Sequence, residues 1–318
     1  IEVPQLETYA ARLWDYWERN LDPDLFVDKS LEGNVRGKIV IITGGGSGIG
    51  LAAAQRLAGA GATIVIAGRT LEKLQEAKRS IEAAGGTCHI YQADLADRFI
   101  DQVLADHGHV DILINNAGRS IRRAVEHSYD RFHDYERTIQ INYFAPLRLS
   151  LRVLPGMSAR RSGHIINVSS MGVLGPPPRF SAYIASKSAL EGWTRCAEVE
   201  YANRDVHFTN INMPLVRTPM ISPTKVYEYA PTLSPDEATD LLVNAVINKP
   251  SRVATDMGRF MQIWNLLAPK SYAHAMNGTF RMFEDTLPAP AGKGVPRQPA
   301  EPTSEQVALA SLMKGVHY

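Results

Sequence analysis

Thr43-Gly44-Gly45-Gly46-Ser47-Gly48-Ile49-Gly50 is the stretch whose reading decides the fold. It follows the β-branched run Lys38 to Thr43 and leads into Ile49 to Ala60, which reads as a helix. Glycines at a strand-to-helix turn allow a tight reversal. They also let backbone N–H groups and the helix N-terminus approach a pyrophosphate with no Cβ in the way. A glycine-rich loop alone has purely structural uses, and it is the strand before and the helix after that point to a dinucleotide. Gly44, Gly46, Ser47, Gly48, Ile49 and Gly50 are therefore candidate cofactor-binding residues.

Outward from this turn, short apolar runs alternate with helical stretches from Lys38 to about Ala254. Strands are expected at Lys38 to Thr43, Thr63 to Ala67, His89 to Gln92, Ile112 to Asn115, His164 to Val168, His207 to Asn212 and Arg252 to Ala254, with a further helix from Leu71 to Ala84. The alternation predicts an α/β fold, a Rossmann-type doubly wound parallel sheet with helices on both faces. Ser234-Pro235-Asp236-Glu237 opens a helix, with a side-chain cap, a proline in the first turn and acids at the positive dipole end. Before it, Thr218 to Leu233 reads as a substrate lid or a plain loop. The expected layout is an aromatic helical segment or linker over residues 1–33, the Rossmann-type domain over 34–287 with a lid at about 218–250, and a flexible tail with a short C-terminal helix over 288–318.

Composition narrows the function classes. A formal net charge of +1 over 318 residues gives no global attraction to nucleic acid or to an anionic membrane. Two cysteines, Cys88 and Cys196, form neither a disulfide framework nor a ligand pair, so a reducing, cytoplasmic setting and no metal are expected. No run approaches the roughly 20 apolar residues that cross a bilayer, which leaves a soluble protein or peripheral membrane contact. The chain starts at Ile1 rather than methionine, which suits one domain of a longer polypeptide.

The second strand is expected to end in Ala67-Gly68-Arg69-Thr70, with no carboxylate to hold a ribose 2′-hydroxyl. The Arg69 guanidinium suits a 2′-phosphate, hence NADP(H); the alternative is a solvated loop arginine. Tyr183-Ile-Ala-Ser-Lys187 places two side chains on one helix face, where the ammonium is expected to favour the phenolate. Ser170 stands thirteen residues earlier at a strand end, where ligands sit in open α/β sheets. Strand alternation turns its neighbour Ser169 to the opposite face.

Together, Thr43 to Gly50, Asp94-Leu95, Asn115-Asn116-Ala117-Gly118, Asn142, Ser170 and Tyr183 with Lys187 resemble the short-chain dehydrogenase/reductase superfamily. The resemblance implies a catalytic tetrad of Asn142, Ser170, Tyr183 and Lys187. Ser170 would hydrogen-bond the substrate oxygen, Tyr183 would protonate it, Lys187 would hold the nicotinamide ribose, and Asn142 would hold a relay water. It further implies that Asp94 and Leu95 contact adenine, that Asn116, Ala117 and Gly118 line the cofactor, that Val216 and Thr218 hold its nicotinamide end, and that the protein is a homo-oligomer. One departure is Met213-Pro214-Leu-Val216 where the family commonly has Pro-Gly.

The segments Asn115 to Arg123 and Met213 to Glu228, with the two termini, resemble bacterial fatty acyl-CoA reductases. That implies an acyl-CoA or fatty-aldehyde substrate. Arg119, Arg122 and Arg123 would then meet CoA phosphates, or else are solvated surface arginines. Phe260 to Phe283 would wall an acyl channel, dock on a membrane, or pack as core or oligomer contact. A reductase of smaller ketones or alcohols and a non-catalytic NADP-binding module are the competing readings. The second has no need of Tyr183 and Lys187 together.

Overall fold

Seven runs become strands, and the central ones are apolar throughout because the sheet interior buries both of their faces. In the computed structural model, which describes residues 30–93, 97–221, 227, 229–283 and 303–312, these are β1 (Ile39–Thr43), β2 (Thr63–Gly68), β3 (Thr87–Gln92), β4 (Ile112–Asn115), β5 (Gly163–Val168), β6 (Val206–Asn212) and β7 (Arg252–Ala254). All neighbours are parallel, in the order β3-β2-β1-β4-β5-β6-β7. β4 is buried throughout, whereas edge strand β3 exposes Thr87, His89 and Gln92. β3 starts two residues before the expected His89, since Thr87 pairs with Thr63.

Each face of the sheet carries its own core. On one face α2 (Gly48–Gly59), α3 (Leu71–Ala83) and α8 (Pro235–Asn248) bury Leu57, Leu74 and Leu242 against Ile42 and Ile64. On the other, α4 (Asp97–His107), α6 (Ala145–Arg160) and α7 (Ser181–Tyr201) bury Ile100, Leu149 and Ala197 against Ile41, Leu113 and Phe208. This is the doubly wound α/β architecture. Successive strands run outward from β1 in one direction and from β4 in the other, so the crossover helices leave a crevice at the carboxyl ends of β1 and β4.

The helix starting at Pro235 is capped as its sequence requires. Ser234 Oγ accepts from Glu237 N–H at 3.2 Å, and Ser234 N–H donates to the Glu237 carboxylate at 2.7 Å. A short helix α1 (Leu31–Val35) spans the boundary expected at residue 33 and buries Val35 in the first core. After α5 (Phe132–Ile139), a single π turn, Gln140–Phe144, leads into α6. Beyond β7, α9 (Asp256–Leu267) and α10 (Pro269–Met282) form a hairpin, and Ser304–Leu312 forms α11. Of the segment from Phe260 to Phe283, Met261, Tyr272 and Phe283 pack as core, while Phe260, Ile263, Leu266 and Leu267 are exposed. Among the described residues no helix is long and apolar enough to cross a membrane. Most of the segment expected over residues 1–33 and of the tail lies outside the described residues, as do residues 222–226 of the expected lid.

Phe208 is the largest fully buried side chain, edge-on to Trp193 and Tyr201 with ring centroids 6.3 and 6.0 Å away. Phe208→Ala leaves a cavity beside two aromatic side chains and is expected to cost about 3–5 kcal/mol. Urea unfolding followed by tryptophan emission measures it, and a midpoint equal to the parent's would reject this account of the second core.

Candidate active site

At the carboxyl ends of β1, β4 and β5 lies a cleft of about 370 Å³. Gly44, Gly46, Ser47, Gly48 and Ile49 line it from the turn after β1, and Asn116, Ala117 and Gly118 from the turn after β4. Tyr183 and Lys187 reach it from α7, and Val216 and Thr218 from the segment after β6. Gly50, Asn142 and Ser170 stand just behind this lining. Asp94 and Leu95 lie outside the described residues.

The glycines are required here by close approach. A Cβ on Gly50 would lie 2.5 Å from the Gly44 carbonyl oxygen and 2.6 Å from the Asn116 amide nitrogen. Gly44 itself has φ +70°, a left-handed backbone that glycine adopts without strain. Thr43 holds the two turns together: its hydroxyl accepts from the N–H groups of Asn116 and Ala117, both at 3.0 Å. Asn116 Nδ2 donates to the Thr43 carbonyl at 3.0 Å, so its side chain braces the turn.

A dinucleotide fits these groups. Ser47, unlike Ser234, makes no side-chain cap to its helix, so the first N–H groups of α2 face the cleft as donors for an anion. Arg69 is exposed at the edge of the same cleft. Lys73, one turn into α3, lines it too, its Cβ 3.6 Å from where a Gly46 Cβ would stand. Sequence reading missed Lys73, although its spacing of four from Arg69 across a helix start was a usable signal.

Ser170 is 1% exposed; its hydroxyl accepts from Gly172 N–H at 3.1 Å and hydrogen-bonds Tyr183. Ser169 borders the cleft as well, but its hydroxyl donates to the Glu191 carboxylate. Lys187 Nζ donates to the Val168 carbonyl at 2.7 Å. Burial pulls its pKa down to about 8, opposed by the charge of Glu191. Burial also raises the pKa of Tyr183, and the Ser170 hydrogen bond works against that rise. The sequence led to the opposite expectation, a phenol lowered by the neighbouring ammonium; desolvation of the ring is the larger effect in the free protein.

Asn142 is fully buried, and both hydrogens of its amide nitrogen are engaged within the protein. Nδ2 donates to the Arg119 carbonyl and to Ser186 Oγ, and Oδ1 accepts from Arg119 N–H, each at 2.9 Å. The chain after β6 departs from Pro-Gly without leaving the cleft, because Val216 bridges in parallel to Leu233. Of the arginines expected to meet phosphates, Arg119 is exposed. Arg123 is not available: its side chain is 13% exposed and its Nε lies 3.3 Å from Asp134, which Arg131 also holds at 3.0 Å. Behind the cleft, Tyr183 packs in a buried apolar cluster with Met171, Phe180, Leu215, Tyr227, Met261, Tyr272 and Phe283, while Met213, Met220 and Ile221 line the cleft itself.

The short chain dehydrogenase pattern matches residues 38–226. A fatty acyl-CoA reductase of Acinetobacter baylyi is 51% identical over 261 residues, covering 80% of this chain and 88% of that protein. A fatty acyl-CoA reductase of Mycobacterium tuberculosis is 40% identical, covering 74% and 83%. An uncharacterized oxidoreductase of the same species is 44% identical over 97% of this chain and 92% of its own. Among solved structures, a metagenomic short-chain oxidoreductase in complex with NADP superposes with a TM-score of 0.60 at 31% identity, covering 70% of this chain and 98% of that one. The cleft, its ordered motifs and these relatives agree: the chain belongs to the short-chain dehydrogenase/reductase family and is a nicotinamide-dependent oxidoreductase.

Proposed function

We propose that the chain is an NADPH-dependent reductase of fatty acyl-CoA thioesters, forming the aldehyde and free CoA, with the aldehyde as a second substrate. The apolar surroundings of Tyr183 carry this reading, since a long acyl chain needs such side chains beside the reacting carbonyl: Met213, Met220 and Ile221 line the cleft, and the apolar cluster packed around Tyr183 lies behind them. The two named fatty acyl-CoA reductases among its relatives support it.

A nicotinamide held in the cleft would supply the hydride to the carbonyl carbon. Ser170 donates to the carbonyl oxygen, and Tyr183 delivers its proton there as negative charge develops. A phenol whose pKa is raised keeps that proton at neutral pH, which suits an acid working in the direction of reduction. The resulting hemithioacetal loses its hydroxyl proton and breaks its C–S bond, giving aldehyde and thiol. Lys187 holds the ribose hydroxyls. With both Asn142 amide hydrogens already engaged, a relay water held at this residue would rest on backbone groups of the π turn rather than on that nitrogen. Arg69 and Lys73 take the 2′-phosphate, and the α2 N-terminus takes the pyrophosphate.

NADPH oxidation measured with palmitoyl-CoA, a fatty aldehyde and a small ketone tests the substrate class. Turnover of palmitoyl-CoA is expected, while turnover of the ketone alone would reject it, and none with NADPH still bound would mark a non-catalytic module. In Tyr183→Phe, turnover should fall by about 10²–10⁴-fold. NADPH affinity, followed by its fluorescence, should hardly change. Retained activity would mean that the proton comes from elsewhere. For Arg69→Ala, steady-state kinetics should show KM rising about tenfold or more for NADPH and little for NADH, one charge-assisted phosphate contact being worth about 1.5–3 kcal/mol. Equal rises would remove the 2′-phosphate role.

A further inference from the structure

Glu191 has no part in the account above, yet it lies one turn beyond Lys187 and two beyond Tyr183, on the same face of α7. It is 3% exposed, rare for a carboxylate. Its Oε1 accepts from the Ser169 hydroxyl and, at 2.6 Å, from Asn212 Nδ2. The same Asn212 nitrogen reaches the Ser170 carbonyl at 3.2 Å. Arg252 of β7 stands 3.8 Å from Oε2. Three consecutive residues at the end of β5 are thus held by this one helix face: Val168 by Lys187, Ser169 by Glu191, and Ser170 through Asn212.

We propose that Glu191 is a positioning residue, its carboxylate fixing the strand end that carries Ser170 and acting as the buried counter-charge of Lys187. The proposal rests on the role given to Lys187. A buried ammonium is costly without an opposite charge nearby, and the backbone carbonyl of Val168 supplies only a dipole. Among the described residues, the other titratable groups facing the pair are Tyr183 on the same helix and Arg252 from β7. Ser169, Asn212, Asn142 and Ser186, from the elements packed against α7, carry no charge. Burial and Glu191 oppose each other at Lys187, and their balance leaves the ammonium losing its proton at about pH 8. Removing the charge lets burial act alone, and the proton leaves at lower pH.

The test is Glu191→Gln in the full chain, with kcat recorded against pH for any carbonyl the parent reduces, and NADPH binding titrated by fluorescence over the same range. The alkaline limb of both profiles should move down by about one pH unit. Glu191→Asp keeps the charge but shortens the reach to Asn212, so its limb should stay in place while kcat drops several-fold. Profiles of the Gln variant that superimpose on the parent's overturn the proposal. If the Gln variant does not fold, an Asp variant with a displaced limb, or one with parental kcat, overturns it as well. Lys187→Ala separates the two readings: if it binds and turns over like the parent, the role of Lys187 has failed rather than that of Glu191. The binding titration needs no substrate, so a wrong substrate class leaves the test intact.

Discussion

The hydrogen bond from Lys187 Nζ to the Val168 carbonyl, 2.7 Å long and between two buried residues at the floor of the cleft, sets the terms for everything around it. An ammonium in that position has lost most of its hydration and must be held by dipoles and charge from the protein. The turn after β4 comes close enough that a Cβ on Gly118 would stand 3.4 Å from Nζ and 3.1 Å from Asn142 Oδ1, so glycine is the residue that keeps the cleft open there. α7 must run unbroken past Tyr183, Lys187 and Glu191 for all three to share a face, and it does so for 21 residues. The end of β5 then becomes the anchor, because each of its last residues is tied back to that helix.

The other half of the cleft depends on a group left unsatisfied. Among the described residues three α-helices have a serine at the N-cap; Ser30 and Ser234 cap theirs, and Ser47, beside the cleft, does not. Ser234 closes a reciprocal box with Glu237, which satisfies donors at the start of α8 within the protein. Ser47 does not cap α2, and a helix start without a protein acceptor is a standing demand for an anion. The Gly44 to Gly50 turn and the Thr43 hydroxyl hold that demand beside the strand end where the winding of the sheet reverses.

Most of the fold was legible because buried parallel strands are short, β-branched and bounded by helices, and six of the seven strands fall within one residue of their expected starts. The central site was legible for the same reason: Ser170, Tyr183 and Lys187 have fixed spacings that a strand end and a helix translate directly into proximity. What escaped were groups whose environment depends on distant chain. Glu191 sits in a helix among other charged residues, and only β5, β6 and β7 arriving from elsewhere make it buried. Arg123 read as one of three clustered arginines, and its partner Asp134 comes from α5. The pKa of Tyr183 was misread because a spacing of four reports the lysine but not the apolar shell from the α9–α10 hairpin that desolvates the ring.

That shell links the chemistry to the direction of the reaction. Burial acts on two groups of opposite charge type, raising the phenol and lowering the ammonium, so it favours the neutral form of each. Left to burial alone, Lys187 would lose the charge that its contact with ribose hydroxyls uses best. The carboxylate of Glu191 pulls one member of the pair back, while Tyr183 stays protonated against the opposing pull of the Ser170 hydrogen bond. A protonated phenol beside a still-charged lysine is the state that can deliver a proton to a carbonyl oxygen at neutral pH. The same apolar side chains that would hold an acyl chain therefore also set the proton inventory for its reduction, and a change that opened this wall to water would alter binding and acid strength together.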